Sequence, residues 1–432
     1  MRWLKTYSLI TRGAGWLALP AFAVYKRFSS KPDIWRQRLG NPFTQGRPLG
    51  DVDLWMHGAS VGEMEALWAI ASRLLEIRPH TKLVVSTFTT AGLHHAKRIS
   101  GGKMPVFLCP LDLPQLVEKT VKEVAPKVFC TLETELWPNL LLALKNHGAS
   151  LLLLNGRISH RSYPSYLRAR FLFGQVLQLF DSICAISKVD KERLVSIGAH
   201  PSCVKVCGNA KYESLLDKPR REDAQVLTKK LGLYGKRPVI VAGSIREQEH
   251  VAIFEAIKKI RHLRPLTILV PRHLDRAKDI NTFLEARSAK YATIREVTEA
   301  SQTSCEDIDY LLVDEMGWLF RLYSICDIAF VGGSIAPLGG QNVMEPAAWA
   351  KPVVFGPHTK NFKEATEALI EEQGGFVAKD PDGLGKVFAY LLSDDGLREK
   401  AGLRARRALE KLGQGSATSQ AQLVAQYLDH KV

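Results

Sequence analysis

Three short stretches of this chain combine groups that can hold or move protons with glycines that let a ligand come close. His57-Gly58-Ala59-Ser60-Val61-Gly62-Glu63, Glu133-Thr134-Glu135-Leu136-Trp137-Pro138-Asn139 and, much later, Gly339-Gly340-Gln341-Asn342-Val343-Met344-Glu345-Pro346 each stand where a strand-like apolar run gives way to a helical pattern. Such edges are where open α/β sheets gather ligands and catalytic groups. A carboxylate at Glu63, following the tight turn that Gly62 allows, is suited to act as general base on a hydroxyl nucleophile, or is an ordinary first-turn helix glutamate. Glu133 and Glu135 form a carboxylate pair of the kind used in acid/base glycoside chemistry, although sequence alone gives no separation between them.

The complementary groups are cations and free amides. Arg272, in Pro271-Arg272-His273 at the end of an apolar run, offers a fork of donors matched to phosphate or carboxylate, or is a surface arginine. Lys211, in Gly208-Asn209-Ala210-Lys211, could steady a departing phosphate or simply be solvated. Gly332-Gly333-Ser334 and Gly339-Gly340 let backbone approach a ligand, and a helix starting at Asn342 to Glu345 would present amides to an anion. Glu345 either accepts from a hydroxyl pair, as an acid does for ribose in nucleotide folds, or complements the helix dipole.

The elements that must position these groups read as a parallel sheet, twice. Leu54-Trp55-Met56, Leu83-Val84-Val85, Val106-Phe107-Leu108, Val128-Phe129-Cys130, Leu151 to Leu154 and Ile183 to Ile186 alternate with amphipathic segments such as Glu65 to Glu76 and Leu113 to Val124. After a charged stretch from Asp217 to Lys236 the pattern repeats at Val239 to Ala242, Thr267 to Val270, Tyr310 to Val313, Ile328 to Val331 and Val353 to Phe355. Two doubly wound α/β domains with a cleft between them are expected, as the 432 residues also suggest.

The first thirty residues differ in kind. Arg2, Lys5 and Arg12 precede an uncharged stretch from Gly13 to Tyr25, interrupted by Pro20, and Lys26 and Arg27 follow. This reads as a membrane anchor, with an amphipathic helix packed on the protein and a signal peptide ending near Ala21-Phe22-Ala23 as alternatives. The expected division is therefore 1–30 anchor, 31–216 first domain and 217–432 second domain.

With 46% hydrophobic and 24% charged residues the chain is globular, and its net charge of +15 calls for anionic partners. Scattered basic residues, without zinc-finger spacing or an aromatic RNA motif, argue against nucleic acid. Seven cysteines, mostly within apolar runs and without a Cys-x-x-Cys pair, support neither a zinc ribbon nor a disulfide framework.

The motifs above, with Asn155-Gly156-Arg157-Ile158-Ser159, occur in an order that resembles the 3-deoxy-D-manno-octulosonic acid (Kdo) transferase family of lipopolysaccharide biosynthesis, from about Asp33 to Phe376. The resemblance implies a GT-B glycosyltransferase of two Rossmann-like domains that moves Kdo from CMP-Kdo to the tetraacylated lipid A precursor lipid IVA. It implies inversion without cofactor or metal, on the cytoplasmic side of the inner membrane, with the basic charge serving lipid phosphate and an anionic leaflet. By matched motif, Glu63 would be the general base and Glu133 and Lys211 transition-state stabilisers. CMP would meet Pro271, Arg272, Met316, Gly317, Trp318, Asn342, Val343, Met344 and Glu345. Gln341 stands where the family often has His, and Trp318 where it often has Glu, which leaves the backbone as the contact at Trp318. Two rivals are another GT-B nucleotide-sugar transferase and a non-catalytic, membrane-bound nucleotide- or lipid-binding protein.

Overall fold

Runs of Val, Ile, Leu and Phe buried on both faces form parallel strands, because only a sheet covered by helices on each side removes so many apolar side chains from water. The computed structural model describes residues 1–28, 32–42, 52–102, 104–219, 221–233, 237–246, 248–299 and 305–430, with backbone alone at 18–28 and 221. The chain divides into two units, Met1–Ser214 with Gly415–Val432, and Leu215–Gln414.

Unit 1 holds strands β1 (Leu54–Gly58), β2 (Leu83–Thr87), β3 (Val106–Leu108), β4 (Val128–Leu132), β5 (Ser150–Gly156), β6 (Ser182–Ala185) and β7 (Val204–Val206). They pair in the order β3-β2-β1-β4-β5-β6-β7, all parallel. Unit 2 holds β8 (Val239–Ile245), β9 (Leu266–Pro271), β10 (Tyr291–Thr293), β11 (Tyr310–Leu312), β12 (Ile328–Val331), β13 (Val353–Phe355) and β14 (Gly375–Val377). Their order is β10-β11-β9-β8-β12-β13-β14, again all parallel. Every strand expected from the sequence is present; β7, β10 and β14, each three residues long at a sheet edge, are additional.

Alternation along β1 divides its side chains between two cores. Trp55 packs on one face with Phe107, Phe129 and Leu140. Leu54 and Met56 pack on the other with Met64, Leu67, Ile70 and Leu74 of the helix Val61–Ile77. The spacing of those four helical residues makes one apolar stripe. Ser60 caps this helix, its hydroxyl accepting from the amide of Glu63.

The expected boundaries change at both ends. The helix Ser416–Asp429 belongs to unit 1, not to the second domain, because Ala417, Ala421, Val424 and Leu428 complete the core against the helix Val61–Ile77. Buried Glu213 seals the return: its carboxylate accepts from Ala417 N (2.7 Å), the Thr418 hydroxyl (2.8 Å) and Arg73 Nε (3.3 Å).

The N-terminal helix Arg2–Phe28 likewise packs on unit 1 rather than standing apart. Leu4 is buried in the core, the Tyr7 hydroxyl donates to Asp112, Asn139 Nδ2 donates to the Thr11 hydroxyl, and Arg12 pairs with Glu118. Leu9, Ile10, Trp16 and Leu17 of this helix are exposed, the last two at 71% and 85%. Among the described residues no helix is long and apolar enough to cross a membrane. The side chains of the second half of the expected anchor, and of the Ala21-Phe22-Ala23 site, lie outside the described residues.

Replacing Glu213 by Ala strips the start of the C-terminal helix of its acceptor. The expected loss is about 1–3 kcal/mol, the cost of leaving buried donors unpaired, read as a lower urea midpoint for unit 1. An unchanged midpoint would mean that water replaces the carboxylate.

Candidate active site

In the unit 1 sheet the strand order reverses between β1 and β4, and their carboxyl ends therefore border the crevice where doubly wound sheets hold ligands. His57 lies in β1 and Glu63 in the first turn of the helix that follows; Glu133 and Glu135 lie in the turn after β4. Register pairs His57 with Thr131, so the two motifs, some seventy residues apart in sequence, become neighbours.

Three carboxylates converge here, and two of them have a cation. Lys211 Nζ donates to Glu133 Oε1. The fully buried His57 places Nε2 3.8 Å from Glu135 Oε2, while its Nδ1 meets the Ser86 hydroxyl at 2.8 Å. Glu63 is held by neutral donors instead: Ala59 N gives to Oε2 (2.7 Å) and the Ser60 hydroxyl to Oε1 (2.8 Å). Burial raises the Glu63 carboxyl above the ordinary glutamate range, and the charges of Glu133 and Glu135 add to this, against the lowering effect of the two hydrogen bonds. A carboxylate so tuned is a better proton acceptor near neutral pH than a solvated one.

Burial alone would lower the His57 pKa, but Cys109 and Glu135 beside it outweigh burial and push it up to about 10. The shift favours the protonated ring, and among the described residues its Nε2 has no hydrogen-bond partner. Glu135 also accepts from Trp137 Nε1 at 2.9 Å, which fixes its side chain over the turn.

Backbone strain and long-range hydrogen bonds set the positions. Glu133 adopts a left-handed conformation (φ 54°), unusual for a side chain of its size and costing of order 1–3 kcal/mol. Its amide donates to Leu154 O at 3.0 Å, fastening the turn to β5. Asn155, also left-handed (φ 49°), accepts from Ala210 N at 2.9 Å and donates its own amide to Gln420 of the C-terminal helix at 2.7 Å. Lys211 is thus carried on a helix start fixed by β5 and by the end of the chain. A methyl group on Gly62 would lie 3.7 Å from Lys211 Nζ, so the lysine also reaches the first turn of the helix that carries Glu63; Gly62 is part of that helix rather than of the tight turn expected of it.

In unit 2, the nucleotide candidates gather on one sheet edge. Arg272 follows β9, Met316, Gly317 and Trp318 follow the adjacent β11, and Asn342 to Glu345 follow β12. Arg272 is exposed just past Pro271, its amide tied to Ile245 O at 3.0 Å. Met316 is exposed, Gly317 is left-handed (φ 94°), and Trp318 donates to Glu315 (3.1 Å) beneath Lys230, whose Nζ stands 4.9 Å from the ring centroid.

The Asn342 to Glu345 stretch differs from expectation. The helix covers only Met344–Ala348, and the amide of Met344 already donates to Asn342 Oδ1 at 3.1 Å, so it is not a free anion-binding helix start. Val343 and Met344 are core residues, which leaves Asn342 and Glu345, joined at 3.1 Å, as the polar side chains available to a ligand. The amides of Gly333 and Ser334, expected to meet a ligand, donate to Glu249.

Sequence reasoning left His57, Ser60 and Asn155 without roles, although each lies within a quoted motif. Ser60 was findable, since Ser-x-x-Glu before an apolar run is a capping-box pattern. The partnership of His57 with Glu135 had no local signal, because it depends on which strands become neighbours.

The His57 pKa, raised from 6.5 to about 10, implies stability present in full below pH 6.5 and lost as pH rises through 10. Unfolding midpoints measured across that window should fall with pH in the native chain and fall less in His57→Gln. Parallel curves would mean that the buried imidazole is neutral.

The profile of the family described as 3-deoxy-D-manno-octulosonic-acid transferase (kdotransferase) matches residues 33–214. The 3-deoxy-D-manno-octulosonic acid transferase of Haemophilus influenzae is 31% identical over 384 residues, covering 88% of each chain. A bifunctional glycosyltransferase/methyltransferase of Fusobacterium nucleatum is 34% identical over 87% of this chain, which spans only 58% of that longer protein. Among solved structures, a glycosyltransferase from Rickettsia africae (TM-score 0.60, 15% identity, 88% of this chain and 99% of that one) shares the GT-B-like fold. So does a putative UDP-N-acetylglucosamine 2-epimerase from Listeria monocytogenes (TM-score 0.62, 14% identity, 88% and 98%). With a relative this similar along nearly its whole length, and the motifs of both units in place, the chain belongs to the 3-deoxy-D-manno-octulosonic acid transferase family.

Proposed function

We propose that this protein transfers Kdo from CMP-Kdo to the lipid A precursor lipid IVA, with inversion, in lipopolysaccharide biosynthesis. The observation that carries the reading is the arrangement around Glu63: a raised carboxyl without a cation of its own, beside a carboxylate–lysine pair, at the reversal of strand order. Family membership supplies the sugar.

In this reading Glu63 takes the proton of the acceptor hydroxyl. Two hydrogen bonds orient its carboxylate and leave lone pairs on both oxygens for that proton. As the hydroxyl oxygen bonds to the anomeric carbon, the bond from that carbon to the CMP phosphate oxygen breaks, and CMP leaves as a phosphate monoester. Lys211, held by Glu133, stabilises charge developing in the transition state, and Arg272 provides the fork for the phosphate. Asn342 and Glu345 are suited to the ribose hydroxyls, and the backbone of the Met316 to Trp318 turn to the base.

For location we propose the cytoplasmic surface of the inner membrane. The exposed Leu9, Ile10, Trp16 and Leu17, on a helix whose other side is fastened to unit 1, suit attachment lying in the interface rather than spanning. The net charge of +15 favours an anionic leaflet.

Purified protein given CMP-Kdo, generated in place, and lipid IVA should yield lipid heavier by one or more Kdo units by mass spectrometry. Glu63→Gln should transfer about 10²–10⁴-fold more slowly while CMP still protects it against heat; Arg272→Ala should instead weaken CMP protection. Protection by UDP rather than CMP would favour another nucleotide-sugar transferase, and full activity of Glu63→Gln would remove the base.

Vesicles containing anionic phospholipid should carry the protein down on centrifugation. A variant with Leu9, Ile10 and Trp16 changed to Ser should stay largely in solution, and equal sedimentation of both would refute attachment by this face.

A further inference from the structure

In the unit 2 sheet the strand order reverses between β8 and β12, the place where a backbone nest usually receives a ligand's phosphate. The nest is built, and its occupant is the chain's own Glu249, first residue of the helix Glu249–Lys259 and only 2% exposed. Oε1 accepts from Ser334 N (3.0 Å), Ile335 N (3.0 Å) and Ala336 N (3.3 Å); Oε2 accepts from Gly333 N (2.6 Å) and Arg246 N (2.9 Å). Five backbone amides thus meet its charge. The fit excludes larger residues: a Cβ on Gly332 would lie 2.8 Å from Oε2, and Gly333 is left-handed (φ 68°).

We propose that Glu249 is a built-in anion that takes the place of a ligand phosphate in this nest and thereby positions the nucleotide-binding segment Gly339 to Glu345. The connection is short. Gly333, held through its amide, accepts from Gly340 N at 2.7 Å, directly before Gln341 and Asn342. Ser334 accepts from His358 N (2.9 Å) through its carbonyl and from Gly356 N (2.9 Å) through its hydroxyl, which joins the next connection to the same loop. Removing the carboxylate would leave five amides, two of them fully buried, without that acceptor and free this loop to move. The donor phosphate must then be recognised elsewhere, for which Arg272 is a candidate cation.

The role in nucleotide binding rests on the function proposed above; the nest itself does not. The test uses the full chain, Glu249→Ala and Glu249→Gln, with sodium formate as the probe and sodium chloride at equal ionic strength as control. Glu249→Ala should bind CMP at least about tenfold more weakly, as loss of a charge-assisted contact implies, and raise the donor KM more than it lowers kcat. Formate, entering the vacated nest, should restore most of the affinity and raise the unfolding temperature, whereas chloride should do neither. Glu249→Gln, whose amide fills the nest with one acceptor oxygen, should be weakened but insensitive to formate. If Glu249→Ala folds only in formate, the proposal is equally supported. Native CMP affinity in both variants, or a loss in Glu249→Ala that formate leaves untouched in affinity and unfolding temperature, would overturn it. Absence of CMP binding by the native chain would instead count against the proposed function, while the formate effect on unfolding would still report on the nest.

Discussion

Parallelism is the constraint from which the site follows. Within each sheet every strand runs the same way, so every strand delivers its last residue to one edge, and the connections leaving β1 and β4, or β8 and β12, diverge there. Groups distant in sequence meet because of this, and only at such reversals does the covering layer of helices leave room. In unit 1 the room is lined by carboxylates and a lysine. In unit 2 it is filled by a carboxylate from within.

Three glutamates show how one side chain serves different ends. Glu63, Glu213 and Glu249 each accept from backbone amides near the start of a helix or loop, where donors would otherwise be unpaired. Glu249 is enclosed by such donors, and Glu213 by amides, a hydroxyl and the Arg73 guanidinium. Glu63 receives fewer; burial first, and the charges of two other carboxylates second, raise its proton affinity while it stays ordered. The difference between the two enclosed glutamates and Glu63 lies in the company each keeps.

How much of this the sequence disclosed depended on whether the signal was local. Strands such as Leu151 to Leu154 announce themselves because burial on both faces demands an unbroken apolar run, whereas β7, β10 and β14, short and half-exposed at the edges, carry no such demand. Glu63, Glu133 and Lys211 were legible as residues in motifs, and the structure does bring them into one neighbourhood. What could not be read was partnership across strands, as for His57 with Glu135, or the capture of Gly333 and Ser334 by Glu249 from another connection. The helix at Asn342 was overestimated because its glycines and polar residues resemble a helix start, while Asn342 satisfies Met344 itself.

The return of the last helix to unit 1 has a meaning in time. When residue 214 leaves the ribosome, the core around the helix Val61–Ile77 still lacks Ala417, Ala421, Val424 and Leu428, and Asn155 lacks the Gln420 carbonyl. About 200 further residues must be made before Ser416–Asp429 arrives, some 10–40 s at ~5–20 residues per second. Unit 2 can finish folding while unit 1 is still open, so the unit begun first is completed last. Lys211 gains its full support only with the helix Ser416–Asp429, and chains released before it carry the motifs without that support.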